Sequence, residues 1–170
     1  TLMRHAGAAL LDRIGPAVIV THSQAGLLGW VLADSRPQLV KAIVAIAPAG
    51  GRPRSAWGGE GLGGLTAPLL LIQGDNDQTV DYRTGAFAVF ENARNADRYL
   101  LTFLQAGHGI GLNPAPAEMR GTLWDIDWFE DPIWRADRVN AINLHFITAF
   151  LGVNLKGDAS LKAYLDVPIE

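Results

Sequence analysis

The fold is decided by residues 17–26, which read AVIVTHSQAG. The short apolar run from Ala17 to Thr21 is rich in β-branched residues, a pattern typical of a strand that is buried on both faces. The residues from Gln24 to about Ser35 are rich in Ala, Leu and Gly and stop before Pro37, which predicts a helix. A buried strand that leads directly into a helix is the building unit of a parallel, helix-covered sheet.

The same alternation continues along the chain. Further strands, also buried on both faces, are predicted at Val40 to Ala47, Leu69 to Gln73 and Arg98 to Leu104. Helices are predicted near the start of the chain, at about Thr84 to Asn92, and in the C-terminal region, where apolar residues recur at helical spacing as Val139, Ile142, Phe146 and Phe150. The sequence therefore predicts an α/β fold with a doubly wound, mostly parallel sheet, in a single domain that spans residues 1–170.

Two segments interrupt this alternation. Residues 49–65 contain seven glycines, and their composition predicts an irregular loop. Residues 113–137 contain three prolines together with Trp124, Trp128 and Trp134. This second segment is interpreted as an aromatic insertion that either packs on the core or covers a site, and Trp124 is the candidate for contact with a substrate.

The composition excludes several classes of protein. The chain has 170 residues, of which 49% are hydrophobic and 18% charged, so it is not a disordered chain. The net charge of −3 does not favour nucleic acid or an anionic membrane surface as a partner. The absence of cysteine excludes disulfides, thiolate nucleophiles and cysteine-ligated zinc. No membrane span, phosphate-binding loop or set of metal ligands is recognisable, so neither a metal nor another cofactor is predicted.

Ser23 is the first candidate for chemistry. It lies between a predicted strand and a predicted helix, where a sharp turn would push its Oγ away from the backbone, and Thr21 and Ala25 are small enough for other segments to pass close by. The N–H of Gln24 would then open the helix and point towards an oxyanion that forms beside Ser23. The alternative is that Ser23 serves only as the N-cap of its helix.

Two further candidates follow later strands. Asp77 lies in a polar loop after the third predicted strand, with Asp75 and Asp81 as alternative acids and an Asx turn as the alternative role. His108 follows the fourth predicted strand in a glycine-rich loop, and imidazole can exchange protons near neutral pH. The other histidines, including His22 beside the serine, are interpreted as structural.

The order of these candidates adds to their weight. Ser23, Asp77 and His108 each follow a predicted strand, and they occur in the chain order Ser, Asp, His that α/β-hydrolases use. The chain resembles the C-terminal half of an α/β-hydrolase over about residues 15–155. The resemblance rests on the stretches THSQAG (21–26) and KAIVAIAP (41–48), the spacing Gly74-x-x-Asp77-x-x-Val80 and the His108 loop.

A narrower resemblance is carried by three short segments. The segments FENA (90–93), GHG (107–109) and RVNAIN (138–143) are similar to bacterial dienelactone-hydrolase-like proteins and to esterases related to polyester hydrolases. The chain departs from these proteins at Thr21 and Ala25, where the usual motif has glycine. It also lacks the cysteine that dienelactone hydrolases use.

The resemblance implies a serine hydrolase that cleaves a small-molecule carboxylic ester. Ser23 would be the nucleophile, His108 the base and Asp77 the acid, with the Gln24 N–H as one oxyanion donor and no cofactor. The resemblance is compatible with a secreted or periplasmic location. Two alternatives stay open, namely a non-catalytic half-domain or subunit of a larger assembly, and a flavodoxin-like binding module in which Ser23 and Asp77 only cap local structure.

The resemblance also implies a partner for the first strand. In an α/β-hydrolase the strand that precedes the nucleophile is flanked by a strand from earlier in the chain. Only the strands from Ala17 onward are predicted here, which would leave an apolar edge of unpaired backbone groups. We therefore expect a preceding N-terminal segment, a complementary chain or a homo-oligomer to cover that edge.

Overall fold

A parallel four-stranded sheet lies at the centre of the fold. The computed structural model describes residues 2–50, 61–114, 116–119 and 130–166. The strands are β1 (Ala17–His22), β2 (Val40–Ile46), β3 (Leu69–Gly74) and β4 (Arg98–Phe103). They lie in the order β1-β2-β3-β4, and every neighbouring pair is parallel. The predicted strands are thus confirmed to within a residue at each end, because each is a compact apolar run with a clear break after it.

Helices cover both faces of this sheet. They are α1 (Leu2–Ile14), α2 (Gly26–Ser35), α3 (Ala86–Asn92) and α4 (Ala136–Lys156). Short 3₁₀ turns occupy Ser23–Ala25, Pro37–Leu39, Gly61–Gly64, His108–Gly111, Ala117–Met119 and Ala159–Tyr164. α4 ends at Gly157, whose φ of +68° is the left-handed conformation that terminates many helices. Within the described residues, no helix is long and apolar enough to cross a membrane.

Two hydrophobic cores lie on opposite faces of the sheet. Alternate side chains of β3 point to opposite sides, so Leu69 and Leu71 join one core while Leu70 and Ile72 join the other. The first core contains buried residues of α1, α2 and α3, including Trp30, which is only 1% exposed. The second core is built on α4 with Val139 and Phe150. The predicted doubly wound α/β fold is confirmed by this arrangement.

The prediction that all four strands are buried on both faces is wrong for the two outer strands. β2 and β3 are almost entirely buried, as expected for central strands. In β1, however, the side chain of Val20 is 63% exposed, and most of β4 is only half-buried. β-branched composition indicates a strand, but it does not reveal whether a neighbour covers each face.

The two irregular segments are described only in part. Of residues 49–65, residues 51–60 lie outside the described part of the chain. In the aromatic insertion, Trp124 and Trp128 also lie outside it. Trp134 packs edge-on against Phe103, with ring centroids 5.1 Å apart, and its indole N–H donates to the Leu104 carbonyl at 2.9 Å. For Trp134, the interpretation as packing against the core is the one that the contacts support.

Candidate active site

The three candidate residues lie beyond the C-terminal ends of the strands. Ser23 directly follows β1, Asp77 lies three residues after β3, and His108 lies in the loop that follows β4. Because all four strands are parallel, their C-terminal ends meet on the same side of the sheet, where crevices form in open α/β folds. The fold therefore brings together side chains that are 31 and 85 residues apart in the sequence.

The imidazole of His108 joins the other two side chains. Its Nε2 lies 2.9 Å from the Ser23 Oγ, and its Nδ1 lies 2.8 Å from the Asp77 Oδ2. The Asp77 side chain is fully buried, whereas 14% of the His108 side chain is exposed. A carboxylate that accepts from Nδ1–H leaves Nε2 as an acceptor for the serine hydroxyl. The contacts are those of a hydroxyl, an imidazole and a carboxylate in a hydrogen-bonded row.

The backbone at Ser23 adopts an unusual conformation. Its φ is +54°, in the left-handed region that residues other than glycine rarely occupy. The helical turn that follows has His22 as its N-cap residue and no side-chain cap, so Ser23 does not act as the N-cap. The sharp turn instead presents its hydroxyl to His108. A strained residue that carries a functional side chain is common at active sites.

Asp77 receives one donor for each of its acceptor positions. Its Oδ1 accepts from the amides of Thr79 (2.9 Å) and Val80 (2.8 Å), and its Oδ2 accepts from His108 and from the Gln73 side-chain amide (3.1 Å). Burial acts to raise the pKa of the Asp77 carboxyl. The hydrogen bonds from His108, Val80 and Gln73 outweigh burial, so the pKa lies below its ordinary value. The carboxylate is therefore held in its ionised form.

The two alternative acids have other partners. Asp75 accepts from the backbone N–H of Gln105 at 2.6 Å, and Asp81 accepts from the N–H of Thr84 at 2.9 Å. Both contacts satisfy backbone amides of loops. Of the three, Asp77 is the one whose described hydrogen bonds include His108.

Two hydrogen bonds hold the His108 loop, and they come from residues that the sequence did not indicate. The Asp131 carboxylate accepts from the Gly107 N–H at 2.6 Å, and the Asn143 side chain donates to the Ile110 carbonyl at 2.8 Å. Asn143 is buried on the inner face of α4. A lone Asn among the apolar residues of that face was the signal that could have pointed to it, since a buried amide needs a partner.

The imidazole ring of His22 lies beside that of His108. The two imidazole rings are 5.2 Å apart and tilted by 40°, and the His22 Nε2 is buried without a hydrogen-bond partner. Burial, with a smaller contribution from the charge of His108, lowers the pKa of His22 below its ordinary value. His22 is therefore held neutral, packed behind the imidazole that contacts Ser23.

Two glycines allow the backbone segments of the site to approach closely. A Cβ on Gly26, at the start of α2, would lie 2.9 Å from both the Ala49 carbonyl oxygen and the Pro48 Cβ. A Cβ on Gly74, at the end of β3, would overlap the backbone carbonyl of Ala106. Gly26 thus lacks room for a side chain beside the Ser23 turn, and the expected close approach at Thr21 and Ala25 stays a prediction.

The remaining predicted site residues differ in how far the structure describes them. Gln24 is exposed and is the second residue of the 3₁₀ turn Ser23–Ala25, where the first amide groups have no acceptor within the turn. Trp124 lies outside the described residues. Beside His108 there is a pocket of about 260 Å³, whose lining includes Gln105, Glu130 and Ile133.

Comparison with known proteins gives one partial relative in sequence. No protein-family model matches the chain. A probable secreted lipase, phiG, from Fungal sp. (strain ATCC 74256) is 67% identical over 45 residues. These residues are 26% of the present chain and 12% of that protein, so the match spans about an eighth of its length.

Solved structures show the fold. The chain is similar to a monoacylglycerol lipase from Paleococcus ferrophilus (TM-score 0.55, 16% identity, 83% of this chain and 72% of that one). It is also similar to mouse alpha/beta hydrolase domain-containing protein 10 (TM-score 0.52, 18% identity, 63% and 60%) and to an alpha/beta hydrolase enzyme from a Mar Chica lagoon sediment metagenome, Morocco (TM-score 0.50, 15% identity, 62% and 59%). The chain therefore has a partial α/β-hydrolase fold. The narrower likeness to dienelactone hydrolases stays a prediction.

Proposed function

We propose that the protein is a serine hydrolase that cleaves carboxylic esters. The single observation that carries this proposal is the hydrogen-bonded row from Ser23 through His108 to Asp77, with Ser23 on a strained turn. Such a row activates a hydroxyl that is a weak nucleophile on its own. The lipase names of two similar proteins favour an ester bond as the target.

The proposed reaction has two halves. In the first, the Ser23 Oγ attacks the acyl carbon while the His108 Nε2 takes its proton, and Asp77 orients and stabilises the resulting imidazolium. His108 then gives the proton to the leaving alkoxide, which leaves an acyl group on Ser23. In the second half, His108 takes a proton from water, the hydroxide attacks the acyl carbon, and the acid product leaves as Ser23 is reprotonated.

The oxyanion that forms in each half needs hydrogen-bond donors. We assign one of them to the backbone N–H of Gln24, because it is the first amide after the nucleophile and lies at the start of a helical turn. The dipole of that turn adds to the effect of the single N–H. Trp124 remains a proposed substrate contact from the sequence alone.

The main alternative is a binding module in which Ser23 and Asp77 only stabilise loops. That role does not require the Ser23 hydroxyl to lie 2.9 Å from an imidazole nitrogen, nor a φ of +54° at that residue. The same contacts argue against a non-catalytic half-domain, since a half-domain with no chemistry would not benefit from a strained serine.

A fluorophosphonate probe tests the proposal. In the full natural chain, we expect phosphonylation at Ser23 and turnover of p-nitrophenyl esters, and we expect both to be lost in Ser23→Ala with the melting temperature nearly unchanged. A panel of esters from acetate to long-chain acids then gives the acyl preference. Labelling at another residue, or a Ser23→Ala variant that keeps more than a few per cent of the turnover, would overturn the proposal.

A further inference from the structure

Gln73 is a buried polar side chain on β3, an inner strand of the sheet. It is the fifth residue of β3 and is 0% exposed, with Ile72 beside it in the second hydrophobic core. Burying an amide without hydrogen-bond partners is unfavourable, because the group gives up its hydrogen bonds to water. A glutamine at such a position needs all of its polar atoms to be engaged.

The contacts of Gln73 fix the orientation of its amide. The Oε1 accepts from the backbone N–H of Ala86 at 2.8 Å, and the Nε2 donates to the Val80 carbonyl at 2.6 Å and to the Asp77 Oδ2 at 3.1 Å. A flipped amide would oppose a donor to a donor and an acceptor to two acceptors, so only this orientation satisfies the group. Gly85 is close as well, since a Cβ there would lie 2.8 Å from the Gln73 Oε1.

The Asp77 oxygen that Gln73 contacts is the one that faces His108. The Oδ2 accepts from the His108 Nδ1 and from the Gln73 Nε2, whereas Oδ1 accepts from two loop amides. A neutral donor on Oδ2 favours the ionised carboxylate and resists its rotation about the Cβ–Cγ bond. Through Ala86, the same side chain ties the carboxylate to the first residue of α3.

We propose that Gln73 is a positioning residue, which keeps the Oδ2 of Asp77 directed at the Nδ1 of His108. This inference rests on the proposed hydrolase function, and it assigns to Gln73 a role beyond the stability of β3. The hydrogen bonds of Gln73 are to Asp77, Val80 and Ala86. It acts through Asp77, so its effect belongs to the pH dependence of the reaction and to the Asp77–His108 hydrogen bond.

Replacing Gln73 by glutamate tests this role with little change in shape. In Gln73→Glu, a carboxylate oxygen faces the Asp77 Oδ2. Two carboxylates at such a short distance tend to share one proton. The other titratable groups near this pair are His108, His22 behind it, and Asp131 at the Gly107 amide. We expect the acidic limb of the kcat/KM profile to move to higher pH and kcat/KM at neutral pH to fall by roughly 10- to 100-fold, the size of one lost hydrogen bond to a charged group.

Two further variants separate positioning from stability. Gln73→Met removes the donor without adding a charge, so its acidic limb should lie between those of the wild type and Gln73→Glu. It also covers the case in which the glutamate variant does not fold. Gln38→Glu makes the same chemical change at an exposed residue just before β2, at the opposite end of the sheet, and should leave the profile unchanged. If Gln73 only stabilised β3, both of its variants would melt at a lower temperature and keep the wild-type acidic limb.

A readout without substrate distinguishes failure of this inference from failure of the proposed function. The downfield proton resonance of the His108 Nδ1–H reports its hydrogen bond to Asp77 in the resting protein. We expect that resonance to shift or disappear in Gln73→Glu and in Gln73→Met, and to persist in Gln38→Glu. A folded Gln73→Glu with the wild-type resonance and acidic limb overturns the inference, whereas absence of Ser23 labelling in the wild type overturns the hydrolase and leaves the resonance test intact.

Discussion

Three aspartates lie within seven residues of one another after β3, and their partners distinguish them. Asp77 contacts His108, whereas Asp75 and Asp81 accept from loop amides. In the serine proteases, loss of the equivalent carboxylate costs about 10⁴ in kcat because the imidazole adopts the wrong tautomer. We expect a similar loss in Asp77→Asn and a far smaller one in Asp75→Asn, measured as kcat on a short-chain ester. A crippled Asp75→Asn with an active Asp77→Asn would reverse the assignment.

Asp77 also affects the stability of the protein in acid. Its pKa is depressed in the folded state, so it contributes stability that is present above the unfolded value of about 3.9 and is lost as the pH falls through the lower, folded value. We therefore expect Asp77→Asn to show a weaker loss of stability below about pH 4 than the wild type. Equal acid-induced losses in urea titrations of the two proteins would contradict this linkage.

His22 is linked to pH in a different range. Because its folded pKa is lowered, the unfolded chain binds a proton at a pH where the folded protein does not. Its contribution is complete above the unfolded value of about 6.5 and declines as the pH falls below it, towards the folded pKa. We expect the unfolding free energy of His22→Phe to depend less on pH in this window, as measured by urea titrations at several pH values. The same slope in both proteins would show that folding does not lower the pKa of His22.

At the level of residues, the sequence predicted the catalytic candidates but not their supports. Ser23, Asp77 and His108 were accessible because each follows a strand in a recognisable order. The supporting residues Gln73, Asp131 and Asn143 were not, because their roles consist of hydrogen bonds to loop groups 4 to 33 residues away. Such contacts depend on how loops pack, and no local periodicity encodes them.

At the level of elements, β3 and the loop after β4 approach closely beside the site. A Cβ on Gly74 would overlap the Ala106 carbonyl, two residues before His108, and the same backbone carbonyl accepts from the Asn76 N–H at 3.0 Å. A backbone neighbour cannot rotate away as a side chain can. We therefore expect Gly74→Ala to displace the His108 loop, to destabilise the protein by about 1–3 kcal/mol, and to lower kcat.

A matched substitution controls for the added methyl group. Among the described residues, no atom beyond its chain neighbours lies within 4 Å of the position that a Cβ on Gly63 would take, so Gly63→Ala should leave both the melting temperature and kcat close to those of the wild type. If Gly74→Ala behaved like Gly63→Ala, the two elements would be less closely packed than the structure describes.

Elements were predicted more completely than the turns between them. Every strand and helix of the described residues was anticipated, since apolar runs and helical spacing are local properties. The 3₁₀ turn at Ser23–Ala25, which precedes α2, was absorbed into the predicted helix. The exposure of Val20 was missed as well, because burial depends on the neighbours of a strand and not on its own composition.

At the scale of the whole molecule, β1 is the outer strand on one side of the described sheet. Within the described residues β1 pairs only with β2, and its Val20 side chain is exposed. We propose that a further strand, from a preceding segment or from another chain, pairs with this edge. Unpaired apolar edges promote association, so we expect the 170-residue chain expressed alone to oligomerise or aggregate and to show little esterase activity.

Light scattering measures this outcome directly. Val20→Lys places a charge on the exposed edge, a substitution that natural sheets use to prevent pairing, and should reduce the association. A monodisperse monomer of about 18 kDa that turns over a short-chain ester at the full rate would contradict the proposal.

The parallel order of the strands also has a consequence for the time course of folding. No two neighbouring strands can pair through a tight turn, because each connection must cross from one end of the sheet to the other. Ser23 meets His108 across 85 residues, so their contact forms only after three such connections have closed. In refolding from urea, helical circular dichroism should return first, and phosphonate reactivity at Ser23 should return more slowly. The return of phosphonate reactivity at Ser23 would thus report when the Ser23–His108 contact forms during refolding.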